Sequence, residues 1–211
     1  PHRLRHTLAT QAINRGMSLE AIAAMLGHRS MDMTLRYAKI ANRTVATAQA
    51  LARVFERRQL VLSATKGIEL NSLKRMSEVL ADELGTDAVG AISGPNVTPD
   101  IMAGHLTAIV AASRDAAVIA AGARALSTPR LKVYGNDDLT GVEMAGVLKN
   151  AVAIAMGLGT GLGWPANTRS FLFTKGLAEI RQVGLALGAA PATFYGLAGI
   201  GDLFLTSTSP D

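Results

Sequence analysis

The chain has no cysteine, few aromatic residues and no long uninterrupted apolar run. Each scarcity excludes something. Without cysteine there is neither a disulfide framework nor a thiolate metal site. Aromatic residues are 4% of the 211 while glycine occurs 21 times, a composition suited to helices packed close through small side chains rather than to an aromatic-rich β-sandwich. Hydrophobic residues at 49% against 18% charged exclude a disordered polymer. The apolar run 151–158 is far short of the roughly 20 residues that cross a bilayer, so no membrane span is expected. The opening Pro1-His2-Arg3-Leu4-Arg5 holds neither an initiator methionine nor an apolar signal-peptide core. That predicts a start inside a longer reading frame and a cytoplasmic protein.

Acidic charge is scarce in one part of the chain only. Residues 1–58 carry ten Lys/Arg against Glu20, Asp32 and Glu56, a net of +7, while residues 59–211 carry a net of −2. The overall +5 therefore describes neither part. A basic block joined to a near-neutral one predicts a polyanion partner, and so DNA contact, for residues 1–58 alone.

The expected fold is mixed: a short all-α N-terminal segment (1–58), a partial α/β stretch with an incomplete Rossmann-like sheet (59–136), and an all-α C-terminal domain (137–211). Helices are expected at 7–15 and 18–26, each stopped by a glycine, with a third beginning near Ser30 or Asp32, carrying Tyr37 and running towards Arg58. Short apolar runs at 60–64, 88–92, 107–112 and 131–134 read as strands, with helices at 72–84 and 115–126 between them. Thr98-Pro99-Asp100 reads as a helix start with Thr98 as hydroxyl cap. Three βα steps indicate an α/β layer. After Asn136 the strands stop, and 139–158, 168–187 and 191–206 read as three long helices.

The basic block admits a plain reading as a helix-turn-helix module whose arginines touch phosphates. Its pattern is more particular. His2-Arg3-Leu4-Arg5-His6-Thr7, then Leu26-Gly27-His28-Arg29, then Tyr37 nine residues after His28, resembles the C-terminal catalytic segment of the tyrosine recombinase (phage integrase) family. The resemblance implies Tyr37 as nucleophile on a DNA phosphodiester, Arg5 as phosphate clamp, and His2 and His28 as hydrogen-bond or proton-transfer partners. It covers about residues 1–45 and leaves out an upstream arginine and lysine that the family uses.

In the rest of the chain one residue stands out. Lys149 lies among Val147, Leu148, Val152 and Ile154, where a lysine must snorkel, pair with an acid or serve chemistry. Burial would lower its pKa and a nearby carboxylate would raise it. Lys66 follows a strand end, where α/β proteins usually bind ligands, and its plain reading is a solvated loop lysine. Four motifs then occur in order: Ser63-Ala64-Thr65-Lys66-Gly67-Ile68-Glu69, Ser93-Gly94-Pro95-Asn96, Gly141-Val142-Glu143-Met144-Ala145-Gly146-Val147-Leu148-Lys149-Asn150, and Gly196-Leu197-Ala198-Gly199-Ile200-Gly201-Asp202-Leu203. Together they resemble the NAD(P)-dependent glycerol-3-phosphate dehydrogenase family over about residues 60–211.

That resemblance implies NAD or NADP as cofactor, and dihydroxyacetone phosphate and glycerol 3-phosphate as substrate pair. It implies Lys149 as proton donor and acceptor, with Lys66, Gly94, Asn96, Asn150, Asp202 and Thr206 contacting or orienting substrate, and Lys66 and Thr98 near cofactor. Gly157-Leu158-Gly159-Thr160-Gly161-Leu162-Gly163 is a decoy for a dinucleotide loop: it follows a helix, not a strand, and reads as an interhelix loop. No G-x-G-x-x-G follows a strand in the 211 residues. Little turnover is therefore expected of them, and an unpaired sheet edge predicts homo-oligomer formation or aggregation. Three functions compete: oxidoreductase, DNA strand transfer through Tyr37, and a non-enzymatic basic DNA-binding module.

Overall fold

All four apolar runs become strands of one sheet. The computed structural model describes residues 43–69 and 72–208. Helix α1 (Arg43–Ala52) leads into β1 (Val61–Ser63), α2 (Met76–Leu84), β2 (Val89–Ser93) and α3 (Thr98–Met102). Then come β3 (Thr107–Ser113), α4 (Ala116–Leu126), β4 (Leu131–Asn136), α5 (Leu139–Gly161) and α6 (Ala166–Ala186). A 3-10 turn over Pro191–Tyr195 and a π-helical turn over Leu197–Gly201 precede α7 (Asp202–Thr208). The expected helices of residues 1–42 lie outside the described residues, as do Tyr37, Arg5, His28 and His2.

The strands lie in the order β1-β2-β3-β4. β1 runs parallel to β2 with Val61 beside Val89, β3 runs antiparallel to β2 with Ala91 beside Ala112, and β4 runs parallel to β3 with Val110 beside Tyr134. The sheet is thus mixed, whereas successive βα steps suggest parallel neighbours throughout. The cause is α3, five residues long with no buried residue, which does not cross the sheet face as a crossover helix does. β3 is buried at all but one of its seven residues, while β4 is nowhere fully buried and forms an edge.

Among the described residues the core includes three clusters. Ala48 of α1, Leu80 and Leu84 of α2, and Val89 of β2 pack together. The same face of the sheet, one pleat on from Val89, offers Ala91, with Val110 and Ala112 of β3, to Leu139 and Val142 of α5. Further along α5, Ala145 joins Leu177, Ile180, Phe194 and Leu203, with Leu148, Val152 and Phe173 against them. α5 is long and apolar enough to cross a membrane by length and composition. Here it is an interior helix, serving the sheet core with one stretch and the helical core with the next.

Several sequence expectations are corrected. The helix expected at 72–84 starts at Met76, because Leu73 sits in the left-handed region (φ 57°) and Arg75 pairs with Ile68 in a β-bridge. Thr98 is not a cap: Val97 holds that position and Thr98 lies in the first turn. Beyond Ala52 the chain turns instead of continuing as helix to Arg58. The glycines 157, 159 and 161 extend α5 instead of forming a loop, and only 162–165 connect it to α6. Finally, 191–206 is not one helix. A Cβ on Gly199 would lie 2.2 Å from the Phe194 carbonyl oxygen, a backbone approach that only glycine permits and that breaks the regular α pattern into the two tight turns.

Phe194 is fully buried, and a Cβ on Gly184 would lie 2.1 Å from its ring. Phe194→Ala is expected to cost about 3–5 kcal/mol by leaving a cavity, and Gly184→Ala about 1–3 kcal/mol by overpacking. Urea unfolding midpoints of the two variants check both values.

Candidate active site

Two lysines and one carboxylate converge where the carboxyl ends of the parallel strands β1 and β2 meet α5 and α7. Lys66 comes from the loop three residues past β1, Lys149 from the middle of α5, and Asp202 from the first residue of α7. Lys66 Nζ donates to Asp202 Oδ2 at 2.6 Å, and Lys149 Nζ donates to Asp202 Oδ1. Lys149 also donates to Thr206 Oγ1 at 2.7 Å, and that hydroxyl donates in turn to the Asp202 carbonyl at 2.8 Å, one helical turn back. Asp202 is 2% and Lys149 6% exposed, whereas Lys66 is only partly buried and Thr206 is exposed, so the cluster has a dry floor and an open mouth.

This arrangement decides which of the three fates open to Lys149 applies. It does not snorkel; it pairs with an acid. Its pKa is lowered to about 8, first because burial strips water from the ammonium and next because Lys66 repels it; the charge and hydrogen bond of Asp202 act against the shift. A lysine poised near 8 can both give and accept a proton close to neutral pH.

Small and polar residues surround the cluster. Gly146 lies one turn before Lys149 on α5, and a Cβ there would lie 3.2 Å from Ser93 Oγ and 3.4 Å from Lys66 Cδ. The missing side chain lets the Lys66 stem lie across the helix. Ser93 Oγ is buried and has no hydrogen-bond partner among the described residues, an unusual state for a hydroxyl beside a charged cluster. Gly94 takes φ 127°, and a Cβ there would lie 3.2 Å from Ile109 Cα and 3.3 Å from the Ala108 carbonyl oxygen, so a larger residue would crowd that backbone as well as strain the turn. Asn96 is partly buried, after a Pro95 whose Cδ lies 3.8 Å from where a Gly201 Cβ would stand; the loop therefore abuts the turn that delivers Asp202. Asn150 is partly buried next to Lys149, and Thr98 is exposed on α3.

The structure thus brings together Lys66, Lys149, Asp202 and Thr206, with Gly94, Asn96 and Asn150 on neighbouring segments. Thr98 is exposed in the first turn of α3. Sequence reasoning missed Ser93, Gly146 and Glu143 as individual residues, although all three fall inside the quoted motifs. Glu143 carried a usable signal, since an acid inside an apolar helix is as conspicuous as Lys149. A separate cavity of about 220 Å³ at the end of β4, lined by Asn136, Asp137, Asp138 and Thr193 among others, contains none of the lysine cluster.

The polar edge of a nicotinamide suits the orphaned Ser93 hydroxyl, which lies with the Lys66 stem against Gly146. A pyrophosphate cradle is another matter. Among the described residues no glycine-rich turn joins a strand to a helix N-terminus, and nothing else present fits that part of the group.

Comparisons with known proteins bear on the family. Residues 38–119 match the family described as NAD-dependent glycerol-3-phosphate dehydrogenase N-terminus, residues 138–211 match its C-terminus, and residues 1–43 match the phage integrase family. A glycerol-3-phosphate dehydrogenase [NAD(P)+] of Sphingopyxis alaskensis is 49% identical over 150 residues, covering 71% of this chain and 45% of that protein. One from Dechloromonas aromatica is 50% identical over 149 residues, covering 70% and 45%. The chain thus spans less than half the length of these curated relatives. Among solved structures, glycerol-3-phosphate dehydrogenase from Coxiella burnetii superposes with a TM-score of 0.75 at 33% identity, over 79% of this chain and 51% of that one. The Dunaliella salina protein gives a TM-score of 0.75 at 27% identity, over 79% and 29%.

Replacing Asp202 by Asn leaves two ammonium groups without their counter-charge. Asp202→Asn is expected to push the Lys149 pKa below 8 and to cost about 3–5 kcal/mol, as breaking a buried pair does. The Lys149 share of that loss is full below the variant's lowered pKa and is lost as pH rises through about 8, above which the amine is neutral in both proteins. Urea unfolding at pH 6 and pH 9 checks it: the gap between variant and parent should be wider at pH 6.

Proposed function

Because residues 38–119 and 138–211 belong to the NAD-dependent glycerol-3-phosphate dehydrogenase family, we propose that the Lys149 cluster serves the interconversion of dihydroxyacetone phosphate and sn-glycerol 3-phosphate with NAD or NADP. The observation that carries the proposal is a buried lysine held by Asp202 and Thr206 with its pKa brought to about 8. When bound, the reduced cofactor supplies a hydride for the ketone carbon. Lys149 Nζ gives its proton to the carbonyl oxygen as the C–O double bond opens, and in the reverse direction the neutral amine takes the hydroxyl proton. Asp202 fixes where Nζ points and keeps Lys66 one carboxylate away. Lys66, Asn150, Asn96, Gly94 and Thr206 contact or shape the space for substrate, and Lys66 and Thr98 stand on the cofactor side. Net positive charge from two lysines on one carboxylate suits a phosphorylated substrate.

The same proposal divides the chain into 1–58, 59–136 and 137–211, with α1 of the first stretch docked on the second through Ala48. Self-association and a cytoplasmic location, where phosphorylated trioses and reduced nicotinamide are held, belong to the same reading.

The match of residues 1–43 to the phage integrase family favours a second reading for that segment. There the Tyr37 oxygen would bond to a DNA phosphorus as the deoxyribose oxygen leaves, with Arg5, His2 and His28 on the phosphate. DNA contact through 1–58 would then be salt-sensitive.

Two measurements test these readings. Incubated at high concentration with NADH and dihydroxyacetone phosphate, the 211 residues should oxidise NADH slowly, more slowly as pH rises through about 8, and not at all as Lys149→Met; turnover that ignores Lys149 would sink the first reading. On nicked DNA the second reading predicts a denaturation-resistant adduct lost in Tyr37→Phe, and salt-sensitive binding without an adduct would leave a DNA-binding module in its place.

A further inference from the structure

One buried acid has no part in the chemistry above. Glu143 lies on α5 six residues before Lys149, its side chain 5% exposed, and it receives hydrogen bonds from outside its own helix. Arg75 Nη1 donates to Oε2 at 2.8 Å, the Ser77 backbone N–H donates to Oε1 at 2.9 Å, and the Ser77 hydroxyl donates to Oε2 at 2.5 Å. All three donors sit at the N-terminus of α2, where the helix dipole adds to the attraction.

Arg75 faces two ways. Besides Glu143 it binds Glu78 through Nη2 and through its backbone N–H, both at 2.8 Å. Its backbone forms the β-bridge with Ile68, and beside that bridge the Glu69 N–H donates to the Lys74 carbonyl at 2.8 Å. The Glu69 carboxylate accepts from the Ser72 N–H and hydroxyl at 2.6 and 2.7 Å. The loop after β1 is thereby closed into a small two-armed unit, and Ile68 is only two residues, at most about 7 Å of chain, from Lys66. Glu143, Gly146 and Asn150 share one face of α5, being three and seven residues apart, and the Lys66 stem passes over that face at Gly146.

We propose that Glu143 is a positioning residue: through Arg75 and Ser77 it fastens the Lys66-bearing loop to α5, and so sets Lys66 on Asp202 beside Lys149. This deepens, and rests on, the reading of Lys149 as the proton donor. The ionisable groups acting on Lys149 are Lys66 from the β1–α2 loop and Asp202 from α7. If the fastening is released, Lys66 drifts from Asp202, its repulsion weakens, and the Lys149 ammonium becomes more stable.

The sign of the effect separates positioning from simple charge removal. Taking a negative charge away from the neighbourhood of Lys149 by itself makes the ammonium less stable, whereas loosening Lys66 makes it more stable. The test is acetylation of the 211-residue chain with limiting acetic anhydride across pH 6–11, with Lys149 and the exposed Lys132 followed by peptide mass spectrometry. In the parent protein the Lys149 midpoint should lie near 8; a profile like that of Lys132 would overturn the proton-donor reading itself, and this inference with it. In Glu143→Gln the midpoint should rise, cutting the reactive fraction of Lys149 at pH 8 about fivefold for a shift of about one unit. An unchanged or lowered midpoint overturns the proposal. Ser77→Ala, which removes one hydrogen bond and no charge, should move the midpoint the same way by less; where Glu143→Gln does not fold, no movement in Ser77→Ala overturns it.

Discussion

A single carboxylate that answers two ammonium groups, one of them almost wholly out of water, dictates what the rest of the chain must do. Asp202 is 136 residues from Lys66 and 53 from Lys149, so no local structure can bring the three together. A buried pair of this kind gains little net stability, because desolvating the charges costs about as much as their attraction returns. The remainder of the fold must therefore hold the cluster by other means. It does so with rigid pieces: the end of a paired strand for Lys66, the middle of a 23-residue helix for Lys149, and a helix start behind a tight glycine turn for Asp202.

Helix α5 is where these demands meet. Leu139 and Val142 close the sheet core, Ala145 and Leu148 the helical one, and between these contacts the same helix presents Glu143, Gly146 and Lys149 to the loop after β1. Its N-terminus is fixed by Asp138, whose carboxylate accepts from the Gly141 N–H within α5 and from the Ala190 N–H and Thr193 hydroxyl across the gap, at 2.8, 2.8 and 2.6 Å. Sliding or rotating α5 to improve one core would spoil the other and move Nζ off Asp202. Close packing on both sides is what makes a buried lysine tolerable at one particular place.

Periodicity and composition made much of this legible. The four apolar runs are strands, the helix expected at 115–126 is there, and the lysine out of place in an apolar helix is the one at the centre of the cluster. What escaped depends on contacts between distant segments. Nothing local in 191–206 announces a π-helical turn, because its cause is Phe194 seated against Gly184 and the Phe194 carbonyl seated on Gly199. The late start of α2 follows from the bridge between Arg75 and Ile68, and the reversal at β3 from a connecting helix too short to cover the sheet. Glu143 was as visible as Lys149, yet its partners Arg75 and Ser77 lie 68 and 66 residues away, beyond any spacing rule.

The unequal charge along the chain has a physical sense once the two chemistries are set side by side. Phosphate neutralisation asks for groups that stay ionised at every accessible pH, which arginine provides. Proton transfer to a ketone asks for the opposite, a cation that can cease to be one. Between the two basic residue types lysine allows this, when water is removed or a second positive charge is held nearby. A strongly basic surface is therefore no substitute for the Lys149 environment. The near-neutral stretch can host such a lysine because its own acids, Asp202 and Glu143, are spent on holding three cations in place, Lys66 and Lys149 at the site itself and Arg75 at the foot of the loop that carries Lys66.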